Sequence, residues 1–272
     1  MRPEMLIVVR SQRPPSSRIP TVILRGERAF ALVGVLALLV ILAVAASIAV
    51  QSLEPALDEG KRVETEAEME RIAQAVAGQY TLSGSLSGPE FGYVGDIGAL
   101  PASLTDLTTN PGGYTTWVGP YIRDNFEEAS GEFQNDAWGT AYVYTGGVTV
   151  QSTGSGSTLS HKIAATSADL LNCSFSGTIL GADRSTPGIC SVNVVAVVTY
   201  PDGIGGTTRD TSAVGGDGNF SFTGIPVGIR TVIAIDTIAL DSVESFISIL
   251  PRSTVANTST GVLRLPSSNI CP

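Results

Sequence analysis

The spacing of apolar positions predicts one long helix near the start of the chain. Residues 30–50 form an apolar run without a charged side chain, long enough at 1.5 Å per residue to span a bilayer core as a helix. Beyond this run, apolar residues such as Met69, Ile72 and Val76 recur at steps of three and four, the period of an amphipathic helix. We therefore expect a single helix over 30–80 that is transmembrane in its first half and amphipathic in its second.

The middle of the chain has the pattern of loops and short strands. Residues 81–116 are rich in Gly, Ser, Thr and Pro, which favours loops. Further on, apolar residues flank the pair Gly146-Gly147 on both sides, which predicts two strands joined by a tight turn. We therefore expect a small α+β domain over 81–170.

The last hundred residues have the pattern of a β-rich domain. Short runs rich in Val, Ile, Phe and Thr alternate with the turn sequences PDGIGG, GGDGN and IPVG. Within GGDGN, Asp217-Gly218-Asn219 predicts a tight hairpin turn. Phe220 and Phe222 alternate with polar residues, so both rings are expected on one face. Regularly spaced short strands predict an antiparallel β-sandwich over 171–272. The expected fold class is α+β: a long N-terminal transmembrane and amphipathic helix, a small α+β domain and a C-terminal antiparallel β-sandwich.

The uneven distribution of charge predicts a membrane topology. Residues 1–29 form a basic leader with six Arg and two Glu, whereas the rest of the chain is strongly acidic and the total net charge is -9. A basic segment before a first apolar run stays in the cytoplasm. We therefore expect a single-pass protein of the cytoplasmic membrane with residues 51–272 on the periplasmic or extracellular side. The acidic remainder argues against nucleic-acid binding, which needs a basic surface.

Few residues offer chemistry for catalysis or for cofactor binding. The chain has one histidine, His161, in a Ser-rich segment, and Asp202, Asp210 and Asp217 are better explained as turn residues than as cation ligands. The sequence contains neither a nucleophile elbow nor a phosphate-binding loop. We expect no catalytic residue, no cofactor and no metal site, and we do not expect an enzyme.

Three cysteines lie in the part of the chain predicted to be exported, where disulfides form. Any two of Cys173, Cys190 and Cys271 are candidates for a bridge. We favour Cys173–Cys190, because it would close a short loop that contains Pro187-Gly188. A bridge from Cys271 that ties down the C-terminal tail, and three free thiols, are the alternatives.

The start of the chain resembles the signal of a known family. The run GERAFALVGVLALLVILAVAA joins a basic leader, a small residue, a Phe and a long apolar helix. It resembles the class III signal of type IV pilins and type II secretion pseudopilins. The resemblance implies cleavage by a prepilin peptidase between Ala29 and Phe30. Family members usually have Gly before the cut and Glu four residues after the Phe, where this chain has Ala29 and Gly34.

A second resemblance covers the middle of the chain. The stretches LPASLTDLTTNPGG (100–113), WVGPYI (117–122) and DAWGTAYVY (136–144) are similar to the C-terminal region of the major pseudopilin of type II secretion. Members of that family carry a calcium loop after this region. The corresponding stretch here offers only Asp169 as a carboxylate ligand, so we do not expect a calcium site.

A third resemblance covers residues 173–265. The stretches SGTI (176–179), DGNFSFTGIPVGIRTVIAI (217–235) and GVLRL (261–265) are similar to carboxypeptidase-regulatory-like, or transthyretin-like, β-sandwiches. In that family the module has no catalytic function. The resemblance implies a rigid spacer or a binding domain.

Together these resemblances imply a structural subunit of a type II secretion pseudopilus or of a type IV pilus-like filament. Such a subunit would be anchored in the inner membrane by its N-terminal helix and would carry the β-sandwich as an accessory module. Its partners would be prepilin peptidase and, through the helix over 30–50, copies of itself and other pilin-like subunits. The alternative is an unprocessed, membrane-anchored surface or periplasmic protein that presents the β-sandwich to a ligand.

Overall fold

The architecture is α+β, as a computed structural model describes it for residues 25–79, 91–122, 131–251 and 258–266. The chain divides into two compact units, Met1–Ala56 and Leu57–Pro272. Both the middle region and the β-rich region therefore belong to the second unit.

Helix α1, Arg25–Ala77, is the long helix that the apolar spacing predicts. Its last turns are amphipathic, because Met69, Ile72 and Val76 are at most 2% exposed while Glu70 and Arg71 on the opposite side are exposed. This part of the prediction is confirmed.

The prediction of a membrane span over 30–50 is overturned. No helix in the described part of the chain is both long and apolar enough to cross a membrane. The predicted fold class with its transmembrane helix, and the predicted single-pass location in the cytoplasmic membrane, are corrected accordingly.

Short elements build the middle region. Helix α2 is followed by a 3-10 turn at Leu104–Leu107, and three strands form an antiparallel sheet in the order β1-β2-β3. The bounds are α2 Gly92–Ile97, β1 Val143–Thr145, β2 Thr149–Ser152 and β3 Leu159–Lys162. Gly146 and Gly147 both have positive φ, 61° and 74°, so the predicted tight turn joins β1 to β2.

The β-rich region is a sandwich of two sheets, introduced by the short helix α3, Ala168–Leu171. One sheet has the strand order β10-β4-β7 and the other β6-β5-β8-β9. The bounds are β4 Cys173–Leu180, β5 Val194–Pro201, β6 Thr207–Ala213, β7 Asn219–Ile225, β8 Gly228–Asp236, β9 Asp241–Ile249 and β10 Thr258–Arg264. Phe220 and Phe222 both face the core and contact each other edge to face, as their alternation predicts.

Two details of the predicted antiparallel sandwich are wrong. Strand β10 pairs in parallel with β4, because the chain leaves β9 in one sheet and enters the other sheet beside β4. The turn at Asp217-Gly218-Asn219 does not close a hairpin, since β6 and β7 lie in different sheets. Apolar alternation fixes the face of a strand and not its partner or its direction.

Backbone hydrogen bonds fasten the sandwich to the middle region. The Gly203 N–H donates to the Ile97 carbonyl at 2.9 Å, and the Thr115 N–H donates to the Gly205 carbonyl at 2.9 Å. Gly203 and Gly205 lie in the loop between β5 and β6, whereas Ile97 is the last residue of α2 and Thr115 lies in a loop of the middle region. The loop between β5 and β6 is therefore held by the middle region within the unit that starts at Leu57.

Candidate functional site

The predicted cleavage site lies in the first turns of helix α1. Ala29 and Phe30 are both helical, and the side chains of residues 25–31 fall outside the described part. Cleavage between them stays a prediction.

The apolar surface of α1 is the most exposed hydrophobic surface of the Met1–Ala56 unit in its described part. Every large apolar side chain between residues 32 and 44 is more than half exposed. These side chains are Leu32, Val33, Val35, Leu36, Leu38, Leu39, Val40, Ile41, Leu42 and Val44. Because they follow one another almost without interruption, they cover all sides of the helix. Burying one such side chain contributes about 1.5–3 kcal/mol, so this surface strongly favours association with an apolar partner.

Small residues on one side of this helix allow close approach. Gly34, Ala37 and Ala45 fall on the same face at the spacing of a 3.6-residue turn, together with the larger Ile41. No atom lies within 4 Å of the position that a β-carbon at Gly34 would take. The distance between two packed helices depends on the side chains at their contact, so this face suits a second helix.

The stretch DAWGTAYVY (136–144) is organised by one buried carboxylate. Asp136 is 4% exposed, and its oxygens accept hydrogen bonds from the N–H groups of Trp138, Thr140 and Gly154 and from the Ser152 hydroxyl at 2.6 Å. Burial would raise the pKa of Asp136, but these four hydrogen bonds together hold that pKa below its ordinary value. The ionised carboxylate thus fixes the loop around it.

The same stretch is fastened to helix α1. The Trp138 indole N–H donates to Asp58 at 2.9 Å, and the Tyr142 hydroxyl donates to Glu68 at 2.6 Å. The Ala137 N–H donates to the Thr65 hydroxyl, a polar group that is completely buried. Trp138, Ala137 and Tyr142 thus hold the loop against α1 inside the Leu57–Pro272 unit.

The stretch WVGPYI (117–122) binds the helix α2 and the 3-10 turn. The Tyr121 hydroxyl donates to Asp96 at 2.9 Å, and the Trp117 indole N–H donates to the Asp106 carbonyl at 3.2 Å. The two rings meet edge to face with centroids 5.8 Å apart. Burial raises the pKa of Asp96, while the bond from Tyr121 and the charge of Arg230 oppose this rise.

A cleft of about 1020 Å³ lies in the Leu57–Pro272 unit, lined by residues of α1, α2, β5 and β8 that include Ile72, Asp96 and Tyr121. Arg230 lines it as well, although the side chain is only 4% exposed. Asp96 already accepts the bond from Tyr121. Asp96, Tyr121 and Arg230 thus use their polar groups to hold the fold, whereas the Thr116 hydroxyl, which also lines the cleft, is buried without a hydrogen-bond partner among the described residues.

Arg230 ties β8 to helix α2. Its guanidinium donates to the carbonyls of Pro226, Val227 and Ile229 and, at 2.9 Å, to the carbonyl of Gly95. All five N–H groups of the side chain are used in this way. The sequence analysis did not identify Arg230 as a functional or structural residue. The feature that could have indicated its role is that it is the only charged residue within the apolar run IRTVIAI.

The residues weighed as ligands have structural contacts. Among the described residues no three His, Cys, Asp or Glu side chains cluster as metal ligands would. Asp202 accepts hydrogen bonds from N–H groups of its own turn, as does Asp217, whereas Asp210 lies in β6 and accepts the Tyr200 hydroxyl at 2.7 Å. His161 lies in β3, and its Nε2 is 3.2 Å from a carboxylate oxygen of Glu70 on α1.

Cys173 and Cys190 differ in oxidation state. The buried Cys173 keeps its thiol, which donates to the Asp169 carbonyl at 3.4 Å, whereas Cys190 is disulfide-bonded. The favoured pairing of Cys173 with Cys190 is therefore not formed. Cys271 lies outside the described residues.

Comparison with known proteins gives no match. No protein-family model, no curated protein and no solved structure matches this chain.

Proposed function

We propose that this protein is a structural subunit that assembles with copies of itself, and with other pilin-like subunits, through the apolar surface of helix α1. In this proposal it belongs to a filament of the pseudopilin or type IV pilus kind. The observation that carries the proposal is the run of exposed apolar side chains on all sides of α1 between Leu32 and Val44. A helix that is apolar all round is a buried helix, so in the working protein this one needs cover on every side.

The polar contacts of the Leu57–Pro272 unit support a structural role. Asp136, Trp138 and Tyr142 use their polar groups to hold the loop over 136–144 and to bind α1. Such fixed contacts make the second half of α1 a rigid part of the folded unit.

Processing between Ala29 and Phe30 belongs to the same proposal. The basic leader and the small residue at Ala29 motivate it, and removal of the leader would free the apolar helix of its charged N-terminal extension. Mass spectrometry of the protein from its native host should find Phe30 at the N-terminus, and Ala29→Asp should block the cut. A mature chain that starts at Met1 would contradict processing.

Site-specific photo-crosslinking tests assembly through α1. We expect a photo-crosslinking amino acid at Leu38, which lies beside the small-residue face, to give covalent dimers and higher oligomers of the full chain. The matched control places the same amino acid at Ile189, an 89% exposed position on the sandwich, where only monomers are expected. Oligomers from neither position, or equally from both, would contradict the proposal.

A further inference from the structure

The two sheets of the sandwich present different outer faces. In β4 and β7 the residues that alternate with the buried ones are polar except for Leu180 at the end of β4: Ser174, Ser176, Thr178, Asn219, Ser221 and Thr223. In β5 and β8 the corresponding positions include Val195, Val197, Ile233 and Ile235. β-branched shape alone does not explain these residues, since threonine meets the same need on the other sheet.

These four residues form one continuous apolar patch. Val195 lies opposite Ile235, and Val197 lies opposite Ile233, so their side chains are cross-strand neighbours. All four are partly exposed, and none of them belongs to the buried core cluster or packs against it. Phe246 on the neighbouring strand β9 extends the patch and is 70% exposed. We call this surface the Val–Ile face.

Opposite charges flank the Val–Ile face at its two edges. Arg209 on β6 lies opposite Thr199 of β5, and Glu244 on β9 lies opposite Ile233 of β8. Both side chains are exposed, and neither forms an ion pair with another described residue. A second copy turned by half a rotation about the strand direction would lay its β9 over β6. This arrangement places each Arg209 over β9 of the other copy, in the row of Phe246 and one row of side chains from Glu244.

We propose that the Val–Ile face is a contact between two copies of this chain. The apolar centre and the complementary edge charges make the face complementary to itself, as a two-fold contact requires. Neighbouring strands lie about 4.8 Å apart and rows of side chains about 6.8 Å apart, so four strands and three rows cover roughly 400 Å² per copy. A stable protein–protein interface buries about 800 Å² per partner.

The Val–Ile face is therefore too small to hold two free copies together. It becomes effective when another contact already keeps the copies close, because a tethered second contact acts at a high effective concentration. The tether in this account is the assembly of α1, so this step rests on the proposed function. The face would then set the orientation of neighbouring folded units.

Photo-crosslinking of the full chain under assembling conditions tests the Val–Ile face. A photo-crosslinking amino acid at Ile235 should give covalent dimers, whereas the same amino acid at Ser176, at the centre of the polar outer face, should give none. Equal yields from the two positions, or no dimers from Ile235, would overturn the proposal. Adducts of Ile235 with detergent or lipid in place of protein would overturn it too, since the face would then bind an apolar small molecule.

Charge exchange tests the pairing of the edges. Arg209→Glu alone and Glu244→Arg alone should each lower the yield of Ile235 dimers by about fivefold, as expected for two exposed ion pairs per contact. The double variant should restore the yield because the charges are complementary again. A double variant that stays low would refute the two-fold arrangement.

A chain with Leu38→Glu and Ile41→Glu separates this inference from the proposed function. If assembly through α1 is wrong, the photo-crosslinking amino acid at Leu38 gives no oligomers, and Ile235 dimers form equally with and without Leu38→Glu and Ile41→Glu because a different contact then keeps the copies close. If the Val–Ile face is wrong, Ile235 dimers are absent from the unaltered chain and from this variant, while Leu38 crosslinks persist in the unaltered chain.

Discussion

At the scale of single residues, buried polar groups fix the loops of this protein. Asp136 accepts four hydrogen bonds while almost completely buried, and Arg230 gives all its N–H groups to backbone carbonyls. Such groups stabilise a fold only when every partner is present, because a buried donor or acceptor without a partner costs about 1–3 kcal/mol. Substitution of either residue is therefore expected to lower the stability of the folded protein.

Asp136→Asn should lower the free energy of unfolding by about 1–3 kcal/mol. The amide nitrogen would face the donors of Ser152 and Gly154, which need an acceptor. Chemical denaturation at neutral pH measures the loss. Asp183→Asn is the control, since Asp183 is exposed and bonds only within its own turn, and its effect should be much smaller.

The effect of Asp136 should also depend on pH. The folded state holds the pKa of Asp136 below its ordinary value of 3.8, so the unfolded chain takes up a proton first as the pH falls. The stabilisation is complete above that ordinary value and disappears as the pH falls through the folded pKa. The difference between the parent chain and Asp136→Asn should therefore shrink as the pH falls from about 5 through the folded pKa. A difference that grows in acid would contradict this assignment.

Gly228 is required where the chain passes the Arg230 side chain. Its φ is +140°, and a β-carbon there would lie 2.5 Å from a guanidinium nitrogen. We expect Gly228→Ala to destabilise the protein by about 1–3 kcal/mol, because the strain adds to the displacement of Arg230. Gly113→Ala is the matched control: its φ is also positive, at 68°, but the site is open, so about 1 kcal/mol is expected. Equal losses in thermal or chemical denaturation would reject the contact with Arg230.

At the scale of elements, periodicity predicted what depends on neighbours in sequence. The steps of three and four at Met69, Ile72 and Val76 gave the buried face of α1, and the alternation at Phe220 and Phe222 gave the core face of β7. The parallel pairing of β10 with β4 depends on two strands about 80 residues apart, as their bounds show. Local spacing carries no information about such a pairing.

Local spacing did not predict the disulfide of Cys190 correctly either. Cys190 forms a disulfide, whereas Cys173 keeps its thiol. If the disulfide is intramolecular, the partner of Cys190 is therefore Cys271, the third cysteine of the chain. We expect non-reducing peptide mapping to recover a Cys190–Cys271 peptide. Cys173 should be alkylated only after unfolding, because it is buried. A bridge that contains Cys173 would contradict this expectation, and a bridge between two chains would place Cys190 at a subunit contact.

At the scale of the whole molecule, the sequence indicated a helix, a middle region and a β-rich region, but not how the last two are joined. Arg230 reaches the Gly95 carbonyl across 135 positions, and the loop at Gly203 bonds to the end of α2. These contacts involve backbone carbonyls, which any residue supplies, so no motif marks them. The exposed apolar surface of α1, in contrast, follows directly from consecutive apolar residues and could be predicted as a candidate site.

Electron microscopy of the purified full chain after removal of detergent tests the central claim most directly. Assembly through α1 predicts filaments of uniform width for the unaltered chain and none for the variant with Leu38→Glu and Ile41→Glu, which places two charges beside the small-residue face. Ile204→Glu alters a side chain that is 77% exposed on the sandwich and should leave the filaments intact. Filaments that persist in the Leu38→Glu and Ile41→Glu variant, or only amorphous aggregates from the unaltered chain, would contradict the account.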